Sequence, residues 1–313
     1  MKNKLKEIWG FIKELVSEFS DDRATKLSAA LSYYTIFSLP PLLLIIISLS
    51  AVFFGEDAVK GQLFSQINGL VGNEAARQIQ DSMASVKVSG NGLFGTIIGL
   101  VVLLIGASGI FVEIQDSINF IWNLKAKPKK GFIMLIMNRL MSFSMIGVMG
   151  FLLLVSLIAN SVMDVLSGKL ENILSGFMVK IFYVINLALI FSIISLLFLL
   201  IFRTLPDGKV SGKASIIGAA FTAILFMVGK FAIGAYLGSS AVASGYGAGG
   251  AVILLLLWIY YSASILYLGA IFTKLYAQKY GKDIIPKPYA VRIEKSENEV
   301  EPEKTTEDLK REK

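Results

Sequence analysis

Six apolar stretches, each long enough to cross a bilayer as a helix, occupy most of this 313-residue chain. A bilayer core about 30 Å thick requires about 20 residues of α-helix. The alternating pattern of a membrane β-barrel is absent, and lipid offers no partner for free backbone groups, so helices are expected. The sequence predicts an all-α polytopic membrane protein whose domain covers residues 22–282. Its six transmembrane helices are expected at about residues 27–54, 93–111, 132–159, 177–202, 215–237 and 252–276.

Lys and Arg alternate in number between these stretches. Residues 1–26 carry six, residues 117–131 carry four and the tail after residue 276 carries nine, while residues 204–214 carry two. The three intervening loops carry three, two and none. Because cytosolic loops are enriched in Lys and Arg, both termini are expected in the cytosol. The same distribution explains the net charge of +7 without a nucleic-acid partner, since no soluble domain carries a clustered basic face.

The composition excludes several kinds of chemistry. The chain has no Cys, which excludes a disulfide framework and thiolate chemistry. It has no His, which excludes an imidazole base, a Ser-His-Asp triad and the commonest zinc sites. An obvious ATP-binding motif is also lacking. We therefore expect no cofactor and no catalytic or metal-binding residues, and any transport would be passive, ion-coupled or driven by a partner.

Three segments outside the spans have distinct patterns. Residues 1–21 predict a cytosolic amphipathic helix, because their apolar side chains recur on one helical face. Its basic residues and Trp9 suit the inner membrane surface, but packing against the protein's own cytosolic face is equally compatible. The long loop 55–91 predicts one or two short helices on the outer surface. The segment 283–313, mixed in Lys and Glu with few apolar residues, predicts a disordered tail.

The pair Pro40-Pro41 lies near the middle of the first span. Two prolines remove two backbone donors, so the helix is expected to kink or break. Tyr33 and Tyr34 precede them and could line a cavity. Broken helices at mid-depth form solute sites in many transporters, and a simple packing kink is the alternative interpretation.

Charged residues mark the end of the second span and the start of the third. Glu113 and Asp116 are three residues apart and share a helix face with Asn119 nearby. Arg139 lies at a similar expected depth, and a guanidinium and a carboxylate in a membrane are expected to pair. The pair predicts either a gate or anionic head-group site, or a structural ion pair at the interface.

Two further positions disobey a plain apolar span. Lys230 lies about 22 Å into the fifth span, where it either reaches outward to the surface or contacts a lipid phosphate or an anionic solute. Tyr260 and Tyr261 belong to a polar-aromatic run in the sixth span, part of which must face protein or water. These residues complete the candidate substrate or gate positions.

With those motifs in order, the chain resembles the YihY/BrkB family of bacterial inner-membrane proteins (virulence factor BrkB, formerly labelled ribonuclease BN-like) over roughly residues 22–282. The matching segments are 30–41, 119–122, 202–207, 246–250, 257–262 and 268–270. The resemblance implies a six-helix protein of the cytoplasmic membrane linked to envelope integrity. The motif residues assigned a structural role are Trp122, Arg203, Pro206, Asp207, Gly238, Tyr246, Gly247, Gly249 and Trp258.

Two classes of function follow from this resemblance. One is a transporter or flippase of a lipid or envelope precursor, with an amphipathic or anionic substrate. The other is a non-transporting membrane scaffold that binds partners. The ribonuclease label is not supported, because a chain without His or Cys lacks the usual ligands of a metallo-ribonuclease, so we expect no enzyme. A hydrolase would depend on Glu113 and Asp116 as its acid and base. The sequence leaves the oligomeric state open.

Overall fold

The computed structural model describes residues 2–54, 64, 76–77, 79–81, 93–127, 176–239, 250–281 and 283–294. Six long helices account for most of them, joined by short strands at one end. In chain order the elements are α1 Lys2–Asp21, α2 Ala24–Phe54, α3 Leu93–Ile121, β1 Leu124–Ala126, α4 Gly176–Thr204, β2 Gly208–Lys209, α5 Gly212–Ser239, α6 Gly250–Tyr280, β3 Ile285–Pro286 and β4 Ala290–Arg292.

Four of these helices are long and apolar enough to cross a membrane. The candidate segments are Ala24–Ile45 in α2, Val184–Thr204 in α4, Gly212–Lys230 in α5 and Leu255–Tyr280 in α6. A mostly helical chain with four candidate membrane-spanning helices is therefore confirmed, while the count of six spans and the cytosolic termini stay predictions.

Two predicted segments lie mostly or wholly outside the described residues. The span at 132–159 is wholly outside. In the loop 55–91 the few described residues are helical, and Ala76 and Ile79 are buried. A helix with a buried apolar side agrees with the amphipathic pattern of this loop over those positions.

The first span is not broken at its prolines. α2 runs as one helix from Ala24 to Phe54 with Pro40 and Pro41 inside it, so the expected break is wrong. Small residues on α3 accommodate this part of α2. A Cβ added to Gly106 would lie 3.3 Å from Pro41 Cγ. Glycine lets the helix backbones approach closely, and this packing supports α2 where its own ladder loses donors.

α5 and α6 pack through two matching Gly–Thr pairs. A Cβ on Gly218 would overlap Thr273, and a Cβ on Gly269 would overlap Thr222. Each threonine hydroxyl also donates to the glycine carbonyl four residues earlier on its own helix, at 2.7 Å. The hydroxyls are thus satisfied within their helices, and the methyl and hydroxyl groups fill the space that glycine leaves on the neighbour.

The chain after α6 folds back over the ends of the other helices. β4 pairs antiparallel with β1, placing Val291 opposite Lys125, and β3 pairs antiparallel with β2, placing Pro286 opposite Gly208. We call residues 283–294 the strap, and the end of the bundle that it covers the latch end.

The strap corrects one prediction. Disorder was expected from residue 283 onward, but residues 283–294 are ordered, while 295–313 lie outside the described residues. Composition misleads here because β1 and β2 offer free backbone donors and acceptors that the strap pairs. The buried Ile284 and an ion pair of 2.5 Å between Arg292 Nη1 and Asp283 Oδ2 also hold it in place.

Candidate functional site

An apolar cavity of about 320 Å³ lies among the helices beside the Pro40-Pro41 region. It extends along α2 from Leu31 to Leu43, which is about 18 Å of helix, and along α6 from Leu255 to Leu266. The wall is completed by Ile79 and by side chains of α3, α4 and α5. The residues used below are Thr35, Leu39, Ile110, Phe198, Trp258 and Ser262.

The cavity wall offers almost no free polar group. The Thr35 hydroxyl donates to Leu31 O at 2.7 Å, and the Ser262 hydroxyl donates to Trp258 O at 2.9 Å. Both are therefore satisfied within their own helices. A polar group entering the cavity would lose water without gaining a partner, which costs free energy. The cavity is suited to a hydrocarbon chain.

The tyrosines before the prolines do not line this cavity. Tyr33 and Tyr34 are 61% and 46% exposed, and the Tyr33 ring packs on Phe37 with centroids 4.9 Å apart. Pro40 and Pro41 are half-buried beside the lining residue Leu39. The structure thus places a cavity next to the prolines but turns both tyrosines away from it.

A buried polar cluster centred on Asp207 occupies the latch end. Gln115 Nε2 and Asn119 Nδ2 donate to the two Asp207 carboxylate oxygens at 3.0 and 2.9 Å. The strap contributes Lys287, whose backbone N–H donates to Asp207 O at 2.8 Å. Asp207 is 1% exposed, so these bonds replace the water that a buried carboxylate loses. They tie α3, the α4–α5 turn and the strap together.

The charge of Asp207 shifts the pKa values of two strap side chains. The pKa of Tyr289 is raised to about 12, first by burial and then by the neighbouring negative charge and hydrogen bond of Asp207. Burial lowers the pKa of Lys287, and attraction to Asp207 opposes that change. Neither residue was singled out from the sequence, because the strap was expected to be disordered.

The two residues of the predicted acidic pair, Glu113 and Asp116, differ in exposure. Glu113 is half-buried and accepts a hydrogen bond of 3.3 Å from Ser117 Oγ, whereas Asp116 is exposed. The fully buried Tyr267 hydroxyl lies near Ser117 and makes no hydrogen bond within the described residues. Arg139, the expected partner of the carboxylates, lies outside the described residues. Asn119 belongs to the Asp207 cluster.

Lys274 is a buried cation that the sequence reasoning missed. Its Nζ lies 2.5 Å from Glu18 Oε2 and 3.2 Å from Asp22 Oδ2, and donates to Ile121 O at 2.9 Å. It joins α6 to the α1–α2 junction and to the last residue of α3. A lysine inside the predicted sixth span was itself a signal, because a charge at that depth requires a partner.

The other candidate side chains lie on α5 and α6. Lys230 is exposed on α5 and does not line the cavity. Tyr260 is half-buried, and the Tyr261 hydroxyl packs where a Cβ on Gly229 would lie. Tyr261 thus packs one residue from Lys230, but the candidate gate residues in the described part of the chain are not gathered into one site.

The family-motif residues in the described part of the chain are largely buried. Trp122 Nε1 donates to Ala270 O at 3.0 Å, and Trp258 forms part of the cavity wall. Pro206 is buried beside Asp207, while Arg203 is exposed near the end of α4. Gly238 lies in the last turn of α5. Tyr246, Gly247 and Gly249 lie outside the described residues.

Metal chemistry finds no support in the part of the chain that the structure describes. No group of three or more Asp or Glu side chains there is arranged to hold a metal ion. Glu18 and Asp22 instead pair with Lys274, and Asp283 pairs with Arg292.

Long apolar helices that line an open apolar cavity, with the described polar networks at one end, define a helical membrane protein. Residues 15–294 match the family described as virulence factor BrkB, so the chain belongs to this family and the expected membership is confirmed.

Curated relatives carry the name UPF0761 membrane protein. The protein from Teredinibacter turnerae is 28% identical over 278 residues, which cover 86% of this chain and 60% of the relative. The one from Saccharophagus degradans is 28% identical over 269 residues, with the same two coverages. The chain thus spans about 60% of the length of these relatives. No solved structure matches it.

Proposed function

We propose that this protein is a multi-pass protein of the bacterial cytoplasmic membrane that moves a lipid or lipid-linked envelope precursor between leaflets. The acyl part of the substrate occupies the apolar cavity between α2 and α6. Six spans with both termini in the cytosol, and a role in envelope integrity without enzymatic activity, complete the proposal.

The cavity is the observation that carries this proposal. Its length of about 18 Å along α2 is more than half of a bilayer core about 30 Å thick. Its wall is hydrocarbon apart from hydroxyls that are already bonded. An acyl chain would gain contacts there without stripping water from a polar group, whereas a hydrophilic solute would not.

Polar groups stand one helical turn or less beyond one end of the cavity. On α3, Glu113 follows the lining residue Ile110 by three positions, and on α6, Tyr267 follows the lining residue Leu266. A half-buried carboxylate and an unbonded hydroxyl at this position suit the polar head of an amphipathic substrate, or a proton. This arrangement supports a substrate with one apolar and one polar part.

Lipid movement in proteoliposomes tests the proposal. The full chain is reconstituted with fluorescent lipids, and a membrane-impermeant reductant bleaches those in the outer leaflet. The wild type should let the reductant bleach the inner-leaflet lipids as well. The double variant Leu39→Trp/Leu255→Trp fills the cavity and should abolish most of the bleaching of inner-leaflet lipids. Leu187→Trp, on the exposed side of α4, should leave that bleaching unchanged.

A scaffold role is the second candidate. The observation in its favour is that the latch end is closed by the Asp207 and Lys274 networks, which leaves few polar groups free to move. If lipids stay in their leaflets with the wild type, the scaffold is favoured. In that case deletion of residues 62–86 should abolish envelope function in cells, while the cavity-filling double variant should retain it.

A further inference from the structure

Helix α1 has two apolar faces, and the protein covers one of them. Phe11 packs edge-on against Phe272 of α6 with centroids 5.4 Å apart, and Leu15 is 7% exposed. A second face is exposed: its members are Ile8 (58%), Trp9 (70%), Ile12 (45%) and Val16 (63%). The helix thus packs on the protein and also presents apolar side chains that no described residue covers.

The charges of α1 are sorted around the helix. At about 100° per residue, Lys6 and Lys13 border the exposed apolar face on the side away from α6. Glu7 and Glu18 lie on the α6 side, where Glu7 accepts a hydrogen bond from the Tyr280 hydroxyl and Glu18 pairs with Lys274. Glu7 and Glu18 are therefore directed to the protein, whereas Lys6 and Lys13 accompany the exposed apolar face.

Two features place α1 beside the membrane. Only Asp22 and Arg23 separate it from α2, a candidate spanning helix that starts at Ala24. Its contacts on α6 fall in the last turns of that helix, around Phe272 and Tyr280. Around the α1 axis, the exposed apolar face lies roughly a quarter-turn or more from the side that contacts α6. If α1 lies along the membrane surface at the latch end, this face is free to meet the bilayer.

From this geometry we propose that α1 binds the surface of an anionic lipid leaflet. Ile8, Trp9, Ile12 and Val16 insert among the head groups, and Lys6 and Lys13 contact lipid phosphates. Basic residues beside an exposed apolar face that holds a Trp are the features by which interfacial helices bind anionic bilayers. The inference holds whether or not the cavity moves lipids.

Trp9 fluorescence tests this surface in the full chain. Trp9 is exposed, whereas Trp122 and Trp258 are 1% and 7% exposed, so subtracting the spectrum of Trp9→Phe isolates its signal. The protein is placed in nanodiscs of phosphatidylcholine alone or mixed with phosphatidylglycerol. In the mixed discs, brominated lipids should quench Trp9 fluorescence strongly. Aqueous acrylamide should quench it much less there than in discs of phosphatidylcholine alone.

A pair of charge variants separates the lysine contribution. Lys6→Gln/Lys13→Gln should abolish the difference between the two lipid compositions, while Lys26→Gln, an exposed lysine on α2, should leave it intact. Equal acrylamide access in both discs, without bromine quenching, would overturn the proposal and point to a protein partner. Bromine quenching that is the same with and without phosphatidylglycerol, and the same in the Lys6→Gln/Lys13→Gln variant, would also overturn the proposal.

Discussion

Asn119 and Asp207 hold each other through hydrogen bonds that run in opposite directions. Asn119 Nδ2 donates to Asp207 Oδ2 at 2.9 Å, and the Asp207 backbone N–H donates to Asn119 Oδ1 at 2.8 Å. Both residues are buried. One amide side chain thus satisfies a carboxylate and a backbone donor at once, and fixes the α4–α5 turn against the last turn of α3.

Removing that amide should loosen the latch end. Asn119→Ala leaves a buried carboxylate oxygen and a buried N–H without these partners, which costs about 1–3 kcal/mol for an unsatisfied group. The midpoint of thermal unfolding in detergent, followed by size-exclusion chromatography, should fall by several degrees. Asp116→Asn, at an exposed position on the same helix, is the control and should match the wild type. Equal midpoints for both variants would contradict a structural role for the pair.

Substitution of the buried Lys274 should destabilise the protein more than substitution of Asn119. Lys274→Met leaves Glu18 and Asp22 without their cation, and breaking a buried ion pair costs about 3–5 kcal/mol. We expect a large loss of folded protein recovered from membranes. Lys279→Met, one turn further along α6 at an exposed position, should be recovered at the wild-type level. If the two variants behave alike, the Lys274 contacts contribute little to folding.

The Gly–Thr packing predicts an effect opposite to helix propensity. Gly218→Ala should favour the helix intrinsically, yet its Cβ would overlap Thr273. Overpacking of this kind costs about 1–3 kcal/mol, so the thermal midpoint should fall. Gly212→Ala, where nothing lies within 4 Å of an added Cβ, is the matched substitution and should not lower it. A Gly218→Ala protein as stable as the wild type would show that α5 and α6 can separate without cost.

Tyr289 predicts how stability depends on alkaline pH. Burial and the Asp207 charge raise its pKa to about 12, so the folded protein keeps this proton where an unfolded tyrosine, with a pKa near 10.0, loses it. The folded state then binds more protons between these values, and stability falls as pH rises through that window. Tyr289→Phe should make this fall shallower in unfolding experiments from pH 9 upward. A Tyr289 phenolate absorbance that appears near pH 10 in the folded protein would contradict it.

Much of the helical framework could be predicted from the sequence, because membrane helices must be long and apolar. α4 and α6 begin and end within four residues of the predicted spans. The predicted break at Pro40-Pro41 was wrong: α2 is continuous there and packs closely on Gly106 of α3, a tertiary contact that no local pattern shows. The prediction of disorder for the strap was wrong for a similar reason, since its strands form by pairing with β1 and β2.

The candidate site was predictable in part. Trp258 and the neighbourhood of Pro40 were singled out and lie at the cavity, because aromatic and proline residues in a span are conspicuous. Leu39 and Leu43 were not, because a leucine that lines a cavity looks like any lipid-facing leucine in a sequence. Asn119 was taken for a gate residue, and its actual partner, Asp207, is 88 positions away.

Photocrosslinking tests the central claim, that an acyl chain occupies the cavity, most directly. The protein is reconstituted with lipids carrying a photoreactive group in the acyl chain, and adducts are mapped on peptides by mass spectrometry. The account predicts adducts on α2 between Leu31 and Leu43 and on α6 between Leu255 and Leu266, which Leu39→Trp/Leu255→Trp removes. Adducts confined to exposed positions such as Val184, unchanged in that variant, would contradict it.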